Sequence, residues 1–399
     1  MKIIDPLVFV LGLVVASSAN ASFQPLLLGS DLNNQSLYAS GYVSMGARTT
    51  IGGNVQSAGA IVVAANATVG GNLEAGTTVT LGASAGVDGY IESTTTVTIG
   101  ASSIVGGSIQ AGTTGTIGAN AKIQGDLMTG TTTTIAGAVE IQGDVLAGST
   151  VTIGAGSILG GNVDAGTTIT IGAGVIIDGV PTANSLQAVS SAPSVVDQGA
   201  FITSVQTTLK ELGTGTELTS TTFGTNDETL EAGIYSTINY LSIAAGKTLT
   251  LDGKGIDGSW VFNIANYLSF AANAKVILTN VTDNSSIIWN VLGDKTGSAG
   301  YTQLGAGAEA RGYIFAKGFV QTGASAVIAG IGNDCGGAYS ATNYVEFGSD
   351  NVIGKEGCTN GAIVTVPEPA SIWLLALGIF GINVVYRRKL ILDLHKLPS

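Results

Sequence analysis

Histidine is almost missing from this 399-residue chain: the single one, His395, stands four residues from the end. Imidazole is the usual general base and a usual zinc ligand, so Ser-His-Asp, Cys-His and His-rich metal centres in a folded domain are excluded. Two cysteines, Cys335 and Cys358, cannot supply zinc's four ligands by themselves. Charge is scarce too, at 11% of residues where about 25% is ordinary. Acidic residues prevail, 27 against 15 basic ones for a net charge of −12, which leaves no basic face for a phosphate backbone and makes nucleic acid an unexpected partner. Seven prolines and no Gly-X-Y period exclude collagen despite 59 glycines. An apolar share of 45% is too high for a disordered chain.

Both ends read as addresses. Lys2, the apolar run Leu7 to Val15 and Ala19-Asn20-Ala21 make residues 1–21 a signal peptide. Export to an oxidising compartment makes a Cys335–Cys358 disulfide expected, closing a loop worth about 3 kcal/mol in the chain-entropy model. At the other end, Ala370 to Tyr386 is an uncharged run just long enough for a transmembrane helix, and Arg387-Arg388-Lys389 follows it on the cytoplasmic side. Val366-Pro367-Glu368-Pro369 precedes the run. This order resembles the PEP-CTERM sorting signal of Gram-negative bacteria over residues 366–389. The resemblance implies cleavage by an exosortase-type enzyme after transient inner-membrane insertion, and delivery to the cell surface, the medium or the exopolysaccharide. A tail, residues 390–399, follows where members of that family usually stop. A permanent membrane anchor is the plainer alternative.

Between the ends, repetition dominates. Gly53, Gly71, Gly89, Gly107, Gly125, Gly143, Gly161 and Gly179 recur every 18 residues. Apolar columns share the period: Val55 to Val163, Val63 to Ile171, and Val69 to Ile177. Eighteen residues are too few for a helix pair but suit one coil of a parallel β-solenoid with three short faces, with β-branched residues inward and glycines at corners needing positive φ. The pattern resembles the bactofilin-like coil and covers residues 22–180.

Side chains alternate along a strand, so the threonines between inward residues point out. One column is Thr78, Thr96, Thr114, Thr132, Thr150 and Thr168; the other is Thr80, Thr98, Thr116, Thr134, Thr152 and Thr170. Spacings of about 4.8 Å between coils and about 6.7 Å along each strand make a grid. Nine charges lie between Gly52 and Val180 and none interrupts it. Threonine also favours strands and stacks well for purely structural reasons. The grid resembles the Thr-X-Thr arrays of insect antifreeze β-helices.

Residues 181–194 read as a linker. Phe201, Ile202, Val205, Leu209 and Leu212 then form a stripe at helical spacing, giving a helix over 195–212 that ends at Gly213 and must lie along the solenoid. Over 213–362 strands resume as coils of uneven length, marked by Tyr240, Tyr267, Tyr301 and Tyr344. The stretches Gly233–Gly253, Ser259–Ile264, Ser286–Val291, Gly312–Gly330 and Leu26–Leu32 resemble the microbial ice-binding protein family. That family implies a discontinuous β-solenoid with one long α-helix packed alongside. The expected architecture is therefore all-β dominated, framed by the N-terminal signal and the C-terminal transmembrane helix.

The remaining chemistry is thin. Gly253 to Gly258 matches a dinucleotide-binding glycine pattern, but a strand-like segment follows where a helix would be required. Asp126, Asp144 and Asp164 lack the alternating ligands of a strong calcium loop. No catalytic residue, cofactor or metal is expected. The ice-binding resemblance implies an exported protein that adsorbs to an ice surface through the threonine-rich face, inhibiting recrystallisation or anchoring cells or matrix. A structural or adhesive protein of the exopolysaccharide without ice affinity is the other reading.

Overall fold

The computed structural model describes residues 35–185, 192–219, 222–223, 228–294, 299–332 and 335–354. These belong to one compact unit, residues 1–361. The expected signal peptide, Leu26–Leu32, Cys358, and the sorting signal with its apolar run lie outside the described residues. Among the described residues no helix is long and apolar enough to cross a membrane.

The 18-residue period builds three parallel sheets of 15, 14 and 14 strands. One coil shows the logic: Ile91–Ser93, Thr96–Ile99 and Ile104–Val105 contribute one strand to each sheet. Every partner lies 18 residues away, as in Ile91 with Leu73 and Ile109, or Thr98 with Thr80 and Thr116. Alternation sends Ile91, Val97, Ile99 and Val105 into the core, where each is essentially inaccessible. In the second half the period stretches to 27, 34, 18 and 25 residues, as Leu241 pairs with Leu268, then Thr302, Val320 and Val345. The extra length sits in loops while strand register holds.

The first described coil lies in the middle of this rod. The first described strand, Gln35–Ala39, pairs with Asn54–Ser57 on one side and with Gly337–Ser340 on the other. The regular coils run outward from there to Pro181–Ala183. After the helix, the chain resumes at the opposite end with Thr216–Glu217 and winds back to the first coil. The 18-residue coils therefore follow the first strands in sequence but lengthen the rod at one end, and the uneven coils meet the first coil directly. Fourteen steps of about 4.8 Å give a rod about 67 Å long.

The helix α1, Gly199–Glu211, is shorter than the stripe suggests and lies against the outer face of the first sheet. Ile202, Val205 and Leu209 pack on Tyr38, Val261, Ile288, Tyr313, Phe315 and Tyr339. Those residues come from five successive rungs spanning about 19 Å, which matches the roughly 20 Å of a 13-residue helix. Gln206 donates to the Val291 and Phe315 carbonyls at 3.0 and 3.1 Å, and Asn290 and Asn263 donate back to Gln206 and Leu209. Asp197 precedes the helix and accepts from Tyr38 at 2.5 Å, Ser40 at 3.0 Å and the Gly199 N–H at 2.9 Å. Burial pushes its pKa up, but those hydrogen bonds prevail and hold it below the usual carboxylate range. Leu212, last in the apolar stripe, caps the helix and stays exposed, and Gly213 follows at φ +107°.

The periodic glycines have a different cause from the one the sequence suggests. None of Gly53 to Gly179 in the 18-residue column has positive φ. A Cβ on Gly89 would lie 2.0 Å from Asn72 Oδ1, and one on Gly143 2.2 Å from Asp126 Oδ1. Close stacking of coils, not backbone sign, demands glycine there. Positive φ falls on another column, Arg48, Asn66, Ser84, Ser102, Asn120, Ala138, Gly156 and Gly174, mostly non-glycine. Beside the crowded glycines runs a side-chain ladder: Asn54, Asn72, Ser108, Asp126, Asp144 and Asn162 each accept an N–H from the next coil at 2.6 to 3.0 Å. Asp126 and Asp144 thus serve the corner, and no metal-holding cluster occurs among the described residues.

On the outer face of the first sheet, Gln56, Glu74, Glu92 and Gln110 stand in register. Tyr90 donates a hydrogen bond to Glu74. Burial, helped by the Glu74 charge, raises the Glu92 pKa. A raised carboxylate pKa means the fold favours the protonated form, so ionised Glu92 costs stability at neutral pH, a cost that shrinks as pH falls below the folded value and is gone below the ordinary one. Glu92→Gln is expected to raise the thermal midpoint at pH 7, with the gain shrinking to nothing in acid. Melting curves of the two proteins across pH 3 to 7, a window set by the ordinary glutamate pKa of about 4.3, check this.

Candidate functional site

The second sheet carries the threonine grid. Thr78–Leu81, Thr96–Ile99, Thr114–Ile117, Thr132–Ile135, Thr150–Ile153 and Thr168–Ile171 are consecutive strands, paired without a register shift. Both threonine columns face outward, because the alternate residues are the core positions. The columns are not equivalent. Thr80, Thr116, Thr134, Thr152 and Thr170 are exposed and Thr98 half-buried, whereas Thr78, Thr96, Thr114, Thr132 and Thr150 are half-buried and only Thr168 is exposed. Hydroxyls of the inner column link successive coils, Thr96 to Thr114 at 3.1 Å and Thr150 to Thr132 at 3.3 Å.

A third column lies beside these two. Thr77, Thr95, Thr113, Thr131, Ser149 and Thr167 stand at the corner before the strands, and all but half-buried Ser149 are exposed. The hydroxyls of Thr95, Thr113, Thr131 and Thr167 donate to the backbone carbonyl one coil earlier, at 2.5, 2.8, 2.9 and 3.0 Å. Each bond fixes a rotamer, so the row is held rather than left free to rotate. It shares the 18-residue spacing, and the chain turns one residue before the strand.

The same sheet continues through the second half. Strand register places Tyr42 in the column of Thr78, and beyond it Tyr344, Phe319, Tyr301, Tyr267 and Tyr240. These six rings stack at 5.0 to 5.1 Å with interplanar angles of 12° or less. The tyrosines that mark the uneven coils in sequence are therefore one ladder, aligned with the inner threonine column. Across all described strands of this sheet, Glu346 is the only outward charge. The result is a long, in-register, hydroxyl- and methyl-bearing surface with little to hydrate strongly. Among the described residues it carries no metal-holding cluster.

Residues 184–353 match the Ice-binding-like family. The match to this ice-binding-like family takes in the helix and all the uneven coils and stops short of the regular ones. Residues 365–389 match the PEP-CTERM protein-sorting motif. Among solved structures, an ice-binding protein of the Antarctic ascomycete Antarctomyces psychrotrophicus is similar at 22% identity, over 56% of this chain and 93% of that one, with a TM-score of 0.33. A glycosylated ice-binding protein of an Arctic yeast is 18% identical over 59% and 94%, with a TM-score of 0.35. One from an Antarctic bacterium of the Flavobacteriaceae is 13% identical over 80% and 96%, with a TM-score of 0.32. Curated proteins give no match.

Cys335 is disulfide-bonded; Cys358, the chain's other cysteine, is outside the described residues. Among the sorting-signal positions, Val366, Pro367, Glu368, Pro369, Arg387, Arg388 and Lys389 are likewise outside them. The glycine pattern at Gly253–Gly258 is a loop between two strands, Thr248–Asp252 and Ser259–Ile264, so it has no helix N-terminus to hold a pyrophosphate.

Proposed function

We propose that this protein binds ice through the second sheet's outer face, with the threonine columns from Thr78 to Thr170 as the contact. The observation that carries the reading is the in-register, hydroxyl-bearing face on a rod whose second half matches the ice-binding-like family. Ordered water is held by many weak contacts, each of small free energy, so they add only if the surface loses little conformational entropy on binding. A coil stack with hydroxyls tied to the neighbouring coil meets that condition. Adsorbed protein would block the growth of large crystals at the expense of small ones, or hold the cell near ice.

The sorting-motif match at residues 365–389 supports delivery to the bacterial surface by an exosortase-type enzyme. Transient membrane insertion through residues 370–386 and association with exopolysaccharide belong to the same proposal. The test is ice recrystallisation in the presence of the full chain: crystal coarsening slows if the reading holds and proceeds at the buffer rate if it does not.

A further inference from the structure

The two ends of the rod differ. At the end made by the second-half coils, Leu218 and Phe223 are buried and Leu230 partly buried among the described residues. At the other, formed by Thr168–Ile171, Ile176–Ile177 and Pro181–Ala183, the core is open. Ile171 is 48% exposed although its counterpart one coil inward, Ile153, is 2% exposed. Ile169, Val175 and Ile177 are likewise only partly buried, while Val151, Ser157 and Leu159 beneath them are inaccessible. The strands of this last coil have a partner on one side only, so a sheet edge with unpaired N–H and C=O groups accompanies the apolar surface.

The chain has too little length to cover this end with its own connector. Ser185 still bonds the Ala165 carbonyl at the terminal coil, and Ala192 already lies beside Gly112, four rungs back. Seven residue steps reach about 23 Å, and the axial distance alone is about 19 Å. Little reach is left over between Ser185 and Ala192 once that distance is spanned.

We infer that a second copy of this chain covers the end, coil to coil. A single edge strand run antiparallel is complementary to its own copy, so the contact joins like ends about a two-fold axis. Pro181 has no N–H to give on the first sheet's edge, which leaves Thr168–Ile171 as the longest free edge, and it pairs antiparallel with its own copy. With the axis normal to that strand's sheet, the two second sheets become one surface and the threonine grid doubles in length. This last consequence rests on the ice-binding reading; the dimer itself does not.

The experiment is sedimentation of the full chain, held in mild detergent, at rising concentration and without ice. The expected result is a shift from the monomer mass towards twice that mass. Ile171→Lys places a charge on the open core and should keep the chain monomeric at every concentration. Thr170→Lys, outward and away from the core, sets like charges across the seam and should do the same, which guards against Ile171→Lys simply misfolding. A wild-type chain that stays monomeric throughout, or variants that dimerise as readily, overturns the inference.

Discussion

Exchanging Thr116, Thr134 and Thr152 together for lysine should raise the protein concentration needed to halve ice recrystallisation by at least tenfold. All three are exposed and sit on adjacent strands in one column, so the ammonium groups would occupy the middle of the contact. Each would have to shed hydration against a surface offering no counter-charge, and a loss of about 1.4 kcal/mol already amounts to a factor of ten. The core should not notice, because the column is outward and its neighbours Gly115, Thr133 and Val151 keep their inward places. A thermal midpoint within a few degrees of the parent, measured on the same sample, separates a lost surface from a lost fold. The equivalent exchange of Thr96, Thr114 and Thr132 is a poorer probe, since those side chains are half-buried, Thr96 bonds Thr114 and Thr132 accepts from Thr150.

The second large effect is on stability. Gly143→Val should lower the unfolding free energy by about 3 kcal/mol or more. The new Cβ would meet Asp126 Oδ1 at 2.2 Å and the carbonyl carbon of Gly125 at 2.7 Å. Backbone lies on one side and a ladder acceptor on the other, since the same Oδ1 receives the Asp144 N–H at 2.8 Å. Gly156→Ala provides the contrast: nothing lies within 4 Å of its Cβ, and the only cost is positive φ, about 1 kcal/mol. Ala138 already bears that cost one coil earlier. Chemical denaturation of both variants decides whether contact or backbone sign governs the glycine column; equal losses would refute the assignment.

Much of the fold was legible because an 18-residue period and a two-residue alternation act together. Once Val63, Leu81 and Ile99 are aligned, the inward and outward residues of every coil follow from side-chain alternation. The threonine columns followed from the same alignment. Three features were not available from it. The reason for the periodic glycines depends on how closely successive coils approach, which spacing along the chain does not reveal. The corner column of Thr77 to Thr167 needs the turn position, and turns shift by one residue without changing the pattern. The alignment of Tyr42, Tyr344 and the other rings with Thr78 requires knowing that the last coil docks on the first, a contact between residues about 300 positions apart. Helix docking was half legible: the stripe of Ile202, Val205 and Leu209 showed that a partner surface existed, and Tyr38 and Tyr339 showed only in the structure which one.

Partition into ice tests the central claim most directly. Full-length protein carrying a fluorophore, frozen slowly from dilute solution onto a cold surface, should be taken up into the growing ice, while the Thr116, Thr134 and Thr152 lysine variant should remain in the liquid. Parent protein rejected into the liquid as completely as an inert protein of the same size would contradict the account.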